Sequence, residues 1–197
     1  MSATGRSNVR VASDFYATPA WCTRAILPHL PTGGPILEPC AGDGAIVDVL
    51  CGPGGVSDRD SIDAIESDKA RAEALSARGV TCWHGDALSA EAWPQWDWPY
   101  SLVITNPPYG LALEFAARAV IAQRPHGGTT AMLLRLGFLA GQKRAAWHRA
   151  NPCDVYVLPK RPSFTGRGTD ASDYGWRVWG PGRGGRLFWL DVEGEMA

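Results

Sequence analysis

Two rhythms of apolar residues alternate along most of this chain. Short, nearly continuous apolar stretches at residues 36–38 (ILE), 61–66 (SIDAIE), 80–84 (VTCWH), 101–105 (SLVIT) and 129–139 (TTAMLLRLGFL) predict five buried strands. Between them, apolar positions recur at helical spacing. Helices are predicted in residues 18–30, entered at Pro19 after Thr18, in 44–50, in 68–79 with Asp68 as N-cap and Gly79 at the end, in 111–123, and around 141–149. Breakers separate these elements: PTGGP at 31–35, a glycine-rich loop at 51–59 and a Trp- and Pro-rich connection at 90–100. Strand–helix alternation over the first 150 residues predicts an α/β fold whose parallel sheet is covered on both faces. The last part breaks this pattern. Residues 154–158, 174–179 and 186–192 read as strands with no helix between them. GPGRGG at 180–185 reads as a hairpin connection, so an antiparallel edge is expected there.

Length and composition narrow the class. The 197 residues suit one domain, 1–197, with 1–13 a flexible start. Hydrophobic residues make up 45%, an ordinary globular share, and no apolar run is long enough to span a membrane. The polar N-terminus has no apolar signal core, so a cytoplasmic protein is the default expectation. Cys22, Cys40, Cys51, Cys82 and Cys153 are odd in number and include no C-x-x-C pair, which argues against a zinc site or a disulfide framework; no metal is expected. The formal charge of −1 conceals an asymmetry: residues 1–134 carry nine Lys or Arg against fourteen Asp or Glu, and residues 135–197 carry ten against six. Such a basic portion suits a polyanion, and it equally suits an ordinary solvated surface.

Ligands of open α/β sheets lie at the carboxyl ends of the strands. After the first strand come Glu38, Pro39, Cys40, Ala41, Gly42, Asp43 and Gly44, whose glycines let backbone approach a ligand and start a helix. Glu38 puts a carboxylate where a phosphate would be repelled, which favours a ligand with a cationic group such as an amino-acid ammonium. After the second strand, Glu66 can accept from both hydroxyls of a ribose. After the third, Gly85, Asp86 and Ala87 place an acid able to accept from an exocyclic amine. Singly, each acid also reads as a solvated loop residue, and the Gly-rich turn as a plain strand-to-helix turn. Three acids at successive strand ends suit one nucleoside with an attached ammonium. In this order the segments resemble the class I methyltransferases that use S-adenosyl-L-methionine. The resemblance implies a Rossmann-like fold with a seven-stranded, mostly parallel sheet and an antiparallel C-terminal edge, and S-adenosyl-L-methionine as cofactor.

The fourth strand ends on Asn106, Pro107, Pro108 and Tyr109. Two successive prolines forbid strand or helix and hold the backbone in one direction. A planar amine or amide is a poor nucleophile because its lone pair is delocalised. Fixed acceptors for its N–H groups turn that lone pair toward a methyl donor, and the Asn106 side-chain oxygen and the Pro107 carbonyl are two such acceptors. Tyr109 can stack on a planar substrate. Positioning rather than a strong base then carries the reaction. Similar corners occur in methyltransferases acting on adenine N6 in DNA or RNA, on guanine N2 in RNA and on glutamine N5 in proteins.

Two more stretches bear on that choice. Asp14, Phe15, Tyr16, Ala17, Thr18 and Pro19 resemble the cofactor-tail segment of gamma-class DNA adenine N6-methyltransferases, including small phage-encoded ones. The resemblance implies that Tyr16, Thr18 and Pro19 help hold the cofactor, with Glu38, Pro39, Gly42, Gly44, Glu66, Asp86, Ala87 and Asn106. Residues 159–179 resemble the loop that covers the target base in those enzymes, so Phe164 would face Tyr109 across a flipped base. It also reads as a loop aromatic capping the sheet edge. Sequence-specific members carry a large target-recognition domain after these segments. Here eighteen residues follow Trp179, so short or relaxed sequence preference is expected. Lys143, Arg144, Arg149, Lys160, Arg161, Arg167 and Arg183 would mainly hold phosphates, or serve as surface charge. The leading expectation is methyl transfer to adenine N6 in DNA. The alternatives are the same chemistry on RNA bases or protein glutamine N5, and an inactive methyltransferase fold that acts as a binding module.

Overall fold

A computed structural model describes residues 16–93, 100–166 and 168–191 of the chain. Among them, eight strands form one sheet: β1 (Ile36–Glu38), β2 (Ile62–Glu66), β3 (Thr81–His84), β4 (Leu102–Thr105), β5 (Thr129–Arg135), β6 (Asp154–Val157), β7 (Tyr174–Trp179) and β8 (Leu187–Trp189). Their spatial order is β3-β2-β1-β4-β5-β7-β6-β8. Every neighbouring pair is parallel except those made by β7, which runs antiparallel to both β5 and β6.

The central strands are buried at nearly every position because both faces are covered. Ile36, Ile62, Ala64, Leu102, Ile104, Leu133 and Trp176 pack on one side with α1 (Ala20–Ile26), α2 (Ala45–Cys51) and α3 (Lys69–Ala77). Leu37, Ile65, Val103, Met132 and Leu134 pack on the other with α4 (Ala112–Gln123) and, through Trp147, α5 (Gln142–Ala150). Asp68 caps α3 by accepting from the Arg71 amide at 3.0 Å, as its position in the sequence predicts. The indole N–H of Trp176 donates to the Cys22 carbonyl at 2.8 Å. This buried bond ties α1, and the Tyr16–Thr18 stretch that leads into it, to the sheet. Among the described residues, no helix is long and apolar enough to cross a membrane, and no group of three His, Cys, Asp or Glu is placed to hold a metal ion.

Four sequence expectations are corrected. The sheet has eight strands instead of seven, and its antiparallel member is β7 in the interior, not at the edge. The GPGRGG segment is not a tight hairpin, because β6 already fills the place beside β7. The segment instead passes the start of β6, where the amides of Gly184 and Arg186 donate to the buried Asp154 carboxylate at 3.0 and 3.2 Å, and sets β8 parallel to β6. Finally, the fifth strand stops at Arg135, not at residue 139. Its ladder with β7 ends where β7 begins, at the Arg135–Tyr174 pair, and residues 136–139 form a 3₁₀ turn held by the Leu136 amide on the Asp173 carbonyl, 2.8 Å.

Candidate active site

The strand order reverses between β1 and β4, and the sheet opens there at its carboxyl end. A cleft of about 360 Å³ occupies that place, within the range of small-molecule sites. Tyr16, Thr18, Glu38, Pro39, Gly42, Glu66, Asp86, Ala87, Asn106 and Pro108 of the sequence-predicted set all line it. Pro19 and Gly44 do not. Pro19 is the N-cap residue that precedes α1. Gly44 has φ +85°, and a Cβ there would lie 2.6 Å from Leu75 Cδ2, so this glycine lets α2 pass close to α3.

Glu38 is 1% exposed and its Oε2 has no hydrogen-bond partner. Burial pushes its carboxyl well above the usual carboxylate range, with Asp43 adding to the rise. A buried acceptor in that condition suits an incoming cation, and this is the fit expected for an amino-acid ammonium. Glu66 accepts from the amides of Gly42 and Asp68, each at 2.7 Å, while Arg71 lies 3.5 Å away. These bonds aim its carboxylate, whose remaining lone pairs suit a diol. Asp86 is exposed and accepts from the Leu88 amide at 2.8 Å. Trp93 donates to the Ala87 carbonyl at 2.6 Å and Arg118 to that of Leu88 at 2.9 Å, so the loop after β3 is held from below. Leu111 and Phe115, one helical turn apart, add apolar surface, and burial keeps the Cys40 thiol protonated beside them.

Asn106 sits where this cleft meets a second pocket of about 210 Å³, lined by Tyr16, Asn106, Pro107, Pro108, Tyr109, Gly110 and Arg135. The Asn106 Nδ2 donates to Thr18 Oγ1 at 3.0 Å, and its Oδ1 is left buried without a partner. The unsatisfied atom is thus the acceptor that the chemistry of a planar amine requires. Burial, then Tyr174, pushes the Tyr109 phenol far above its ordinary pKa, so it is neutral at any working pH.

The aromatic residues form one cluster. Phe164 lies 5.9 Å from Tyr16, 6.4 Å from Tyr109 and 5.2 Å from Tyr174, centroid to centroid. Its plane is tilted 60° from that of Tyr109, an edge contact rather than two parallel faces. Of the predicted basic set, several members already have partners. Arg144 donates to the Phe138 and Gly137 carbonyls at 2.9 and 3.2 Å, Arg161 pairs with Asp173 at 2.8 Å, and Lys160 lies over the Trp21 ring at 5.1 Å. Arg183 reaches the His29 carbonyl and Asp154 at the opposite end of the sheet. Lys143 and Arg149 are exposed on α5, and Arg167 lies outside the described residues.

Sequence reasoning missed Arg71, Leu111, Phe115, Tyr174 and Arg135. Arg135 was the most findable: it ends β5, and the strand-end rule that selects Glu38, Glu66, Asp86 and Asn106 selects it too. Placing the strand end at residue 139 hid it.

The sequence matches no known family profile, and no curated protein is similar to it. Solved structures do share its fold. One is a candidate class I S-adenosylmethionine-dependent methyltransferase from Listeria monocytogenes, with TM-score 0.62 and 14% identity over 87% of this chain and 62% of that one. Another is the methyltransferase subunit of a type I restriction-modification system from Streptococcus thermophilus, with TM-score 0.60 and 17% identity over 89% of this chain and 47% of that one. A third is a dimethyladenosine transferase from Plasmodium falciparum, with TM-score 0.58 and 14% identity over 84% of this chain and 62% of that one. The chain spans less than two thirds of the length of each. At these identities the likeness establishes architecture: the chain has the α/β fold of the class I methyltransferases.

Proposed function

We propose that this protein transfers a methyl group from S-adenosyl-L-methionine to the N6 amine of adenine in DNA, with short or relaxed sequence preference. The observation that carries this reading is the meeting of two pockets at Asn106, whose buried Oδ1 lacks a partner. The cofactor, when bound, supplies a methyl group on a positively charged sulfur. Glu38 would take its ammonium, Glu66 its ribose and Asp86 its adenine amine, with Tyr16 and Thr18 along its tail. Asn106 Oδ1 and the Pro107 carbonyl would accept the two N6 hydrogens and turn the nitrogen lone pair toward the cleft. As the N–C bond forms and the C–S bond breaks, one N6 proton becomes acidic and leaves to water. No side chain must act as a strong base, in keeping with a Tyr109 hydroxyl that stays neutral.

Support for a nucleic-acid acceptor comes from the basic C-terminal third and from the restriction-modification and dimethyladenosine enzymes among the fold's relatives. The test is incubation with labelled cofactor and DNA, RNA or protein in parallel, followed by nucleoside and amino-acid analysis. Label in N6-methyladenine from DNA is the expected outcome. Label confined to RNA, or to glutamine in protein, would overturn the choice of acceptor. Absence of cofactor binding in calorimetry would favour a non-catalytic module.

A further inference from the structure

The two pockets that meet at Asn106 differ in charge. The cofactor cleft is lined by Glu38, Asp43, Glu66 and Asp86 against Arg71. The charged residue lining the acceptor pocket is Arg135. Its guanidinium carbon lies over the Tyr109 ring, 4.8 Å from the centroid, and both residues line the acceptor pocket. Its Nε donates to the Tyr174 hydroxyl at 3.1 Å. No described residue forms an ion pair with Arg135 or accepts from its two terminal nitrogens, although the Asp170 carboxylate contributes to its field. Asp170 Oδ1 accepts from the Ser172 amide instead.

We propose that Arg135 is the residue that selects a nucleotide for the acceptor pocket: it covers Tyr109 in the free protein and moves to a phosphodiester oxygen of the target nucleotide when the base takes that face. This rests on the function proposed above and deepens it. The planar fork of an arginine suits both positions, since it stacks on aromatic faces and binds phosphate through paired N–H groups. A base that displaces the guanidinium from Tyr109 brings its own phosphate as a replacement partner. A glutamine amide displaces it and offers no anion. Asp43, Glu66 and Asp86 of the neighbouring cleft repel phosphate, and Arg135 offsets that repulsion at the point where the nucleotide must enter. Because β5 ends at Arg135 and residues 136–139 turn away, the Arg135 side chain is left lining the pocket.

The test uses Arg135→Ala and Arg135→Lys in the full chain, with an adenine-containing single-stranded oligonucleotide as probe. Binding is followed by fluorescence anisotropy between about 50 and 200 mM salt. One phosphate contact contributes a slope of about −0.7 in log K against log salt on a single strand. Arg135→Ala should make the slope shallower by about that amount and weaken binding about tenfold or more at the lower salt. Arg135→Lys should restore the slope, because it keeps the charge. Cofactor affinity, read by calorimetry, should be unchanged in both, which shows that the fold is intact. A slope that Arg135→Ala leaves unchanged overturns the proposal, as does one that Arg135→Lys fails to restore. A wild-type protein that binds the oligonucleotide but methylates no DNA would refute the proposed function, and the slopes would still decide the role of Arg135.

Discussion

Replacing Glu38 with glutamine exchanges one buried oxygen for an amide nitrogen and separates two consequences of a single charge. The side chain is 1% exposed, with Oε2 unpartnered. Burial raises its pKa well above the ordinary 4.5, the charges of Asp43, Glu66 and Asp48 add to this, and the Val47 amide offsets part of it. Between 4.5 and the raised value, the folded state holds a proton that the unfolded state has lost. Stability therefore falls as pH rises through that window, by at most about 1.4 kcal/mol per pH unit. In Glu38→Gln this slope is absent, so the variant without ligand should be the more stable protein at the upper end of the window. Ligand binding should move the other way. An ammonium deprived of a buried carboxylate partner loses about 3–5 kcal/mol, which is about two to three and a half orders of magnitude in affinity. Wild-type affinity should rise with pH through the raised pKa, because the ammonium replaces a proton. Denaturant melts across pH, with calorimetry of S-adenosyl-L-methionine in parallel, measure both. The reasoning fails if the variant binds cofactor as tightly as wild type, or if the stability difference between the two proteins is independent of pH.

Three other substitutions probe the site and its scaffold. Asn106→Ala removes the unpartnered acceptor and should lower kcat by about 10²–10³-fold, the size seen when one aligned transition-state hydrogen bond is lost; a change in KM alone would contradict its role. Gly44→Ala forces a Cβ against Leu75 at φ +85° and should destabilise the fold by about 1–3 kcal/mol in denaturant melts, while cofactor affinity per folded molecule stays near wild type. Asp154→Asn weakens the bonds from Gly184, Arg186 and Arg183 and should cost about 2–3 kcal/mol. Burial raises the Asp154 pKa, but Arg186 and the two backbone amides outweigh it and hold the carboxyl below its ordinary 3.8. Its contribution is thus present above 3.8 and lost as pH falls through the lower folded value, so the variant and wild type should converge in acid.

The strand ends are where sequence and structure agree most closely. Glu38, Glu66, Asp86 and Asn106 each follow a short apolar stretch, and strand geometry alone puts such residues on one edge of a parallel sheet. Local patterning also predicts the cap at Asp68 and the bend at Pro107 and Pro108. Elsewhere, a residue's surroundings depend on a distant partner. Gly44 looks like a ligand-binding glycine until α3 is placed beside it. Arg144 and Arg161 look like free cations until the turn after β5 and Asp173 reach them.

What the sequence by itself determined is therefore the succession of strands and helices along the chain and which residues stand at each strand's end, because both depend on neighbours within a few residues. Tertiary structure alone decided that β7 inserts between β5 and β6, that Asp154 steers the chain around to β8, and that Arg135 faces Tyr109. The physical reason is the same in each case. Strand pairing, burial of a carboxylate and stacking of a guanidinium on a ring all join residues far apart in the chain, and no local pattern records which distant group will be there.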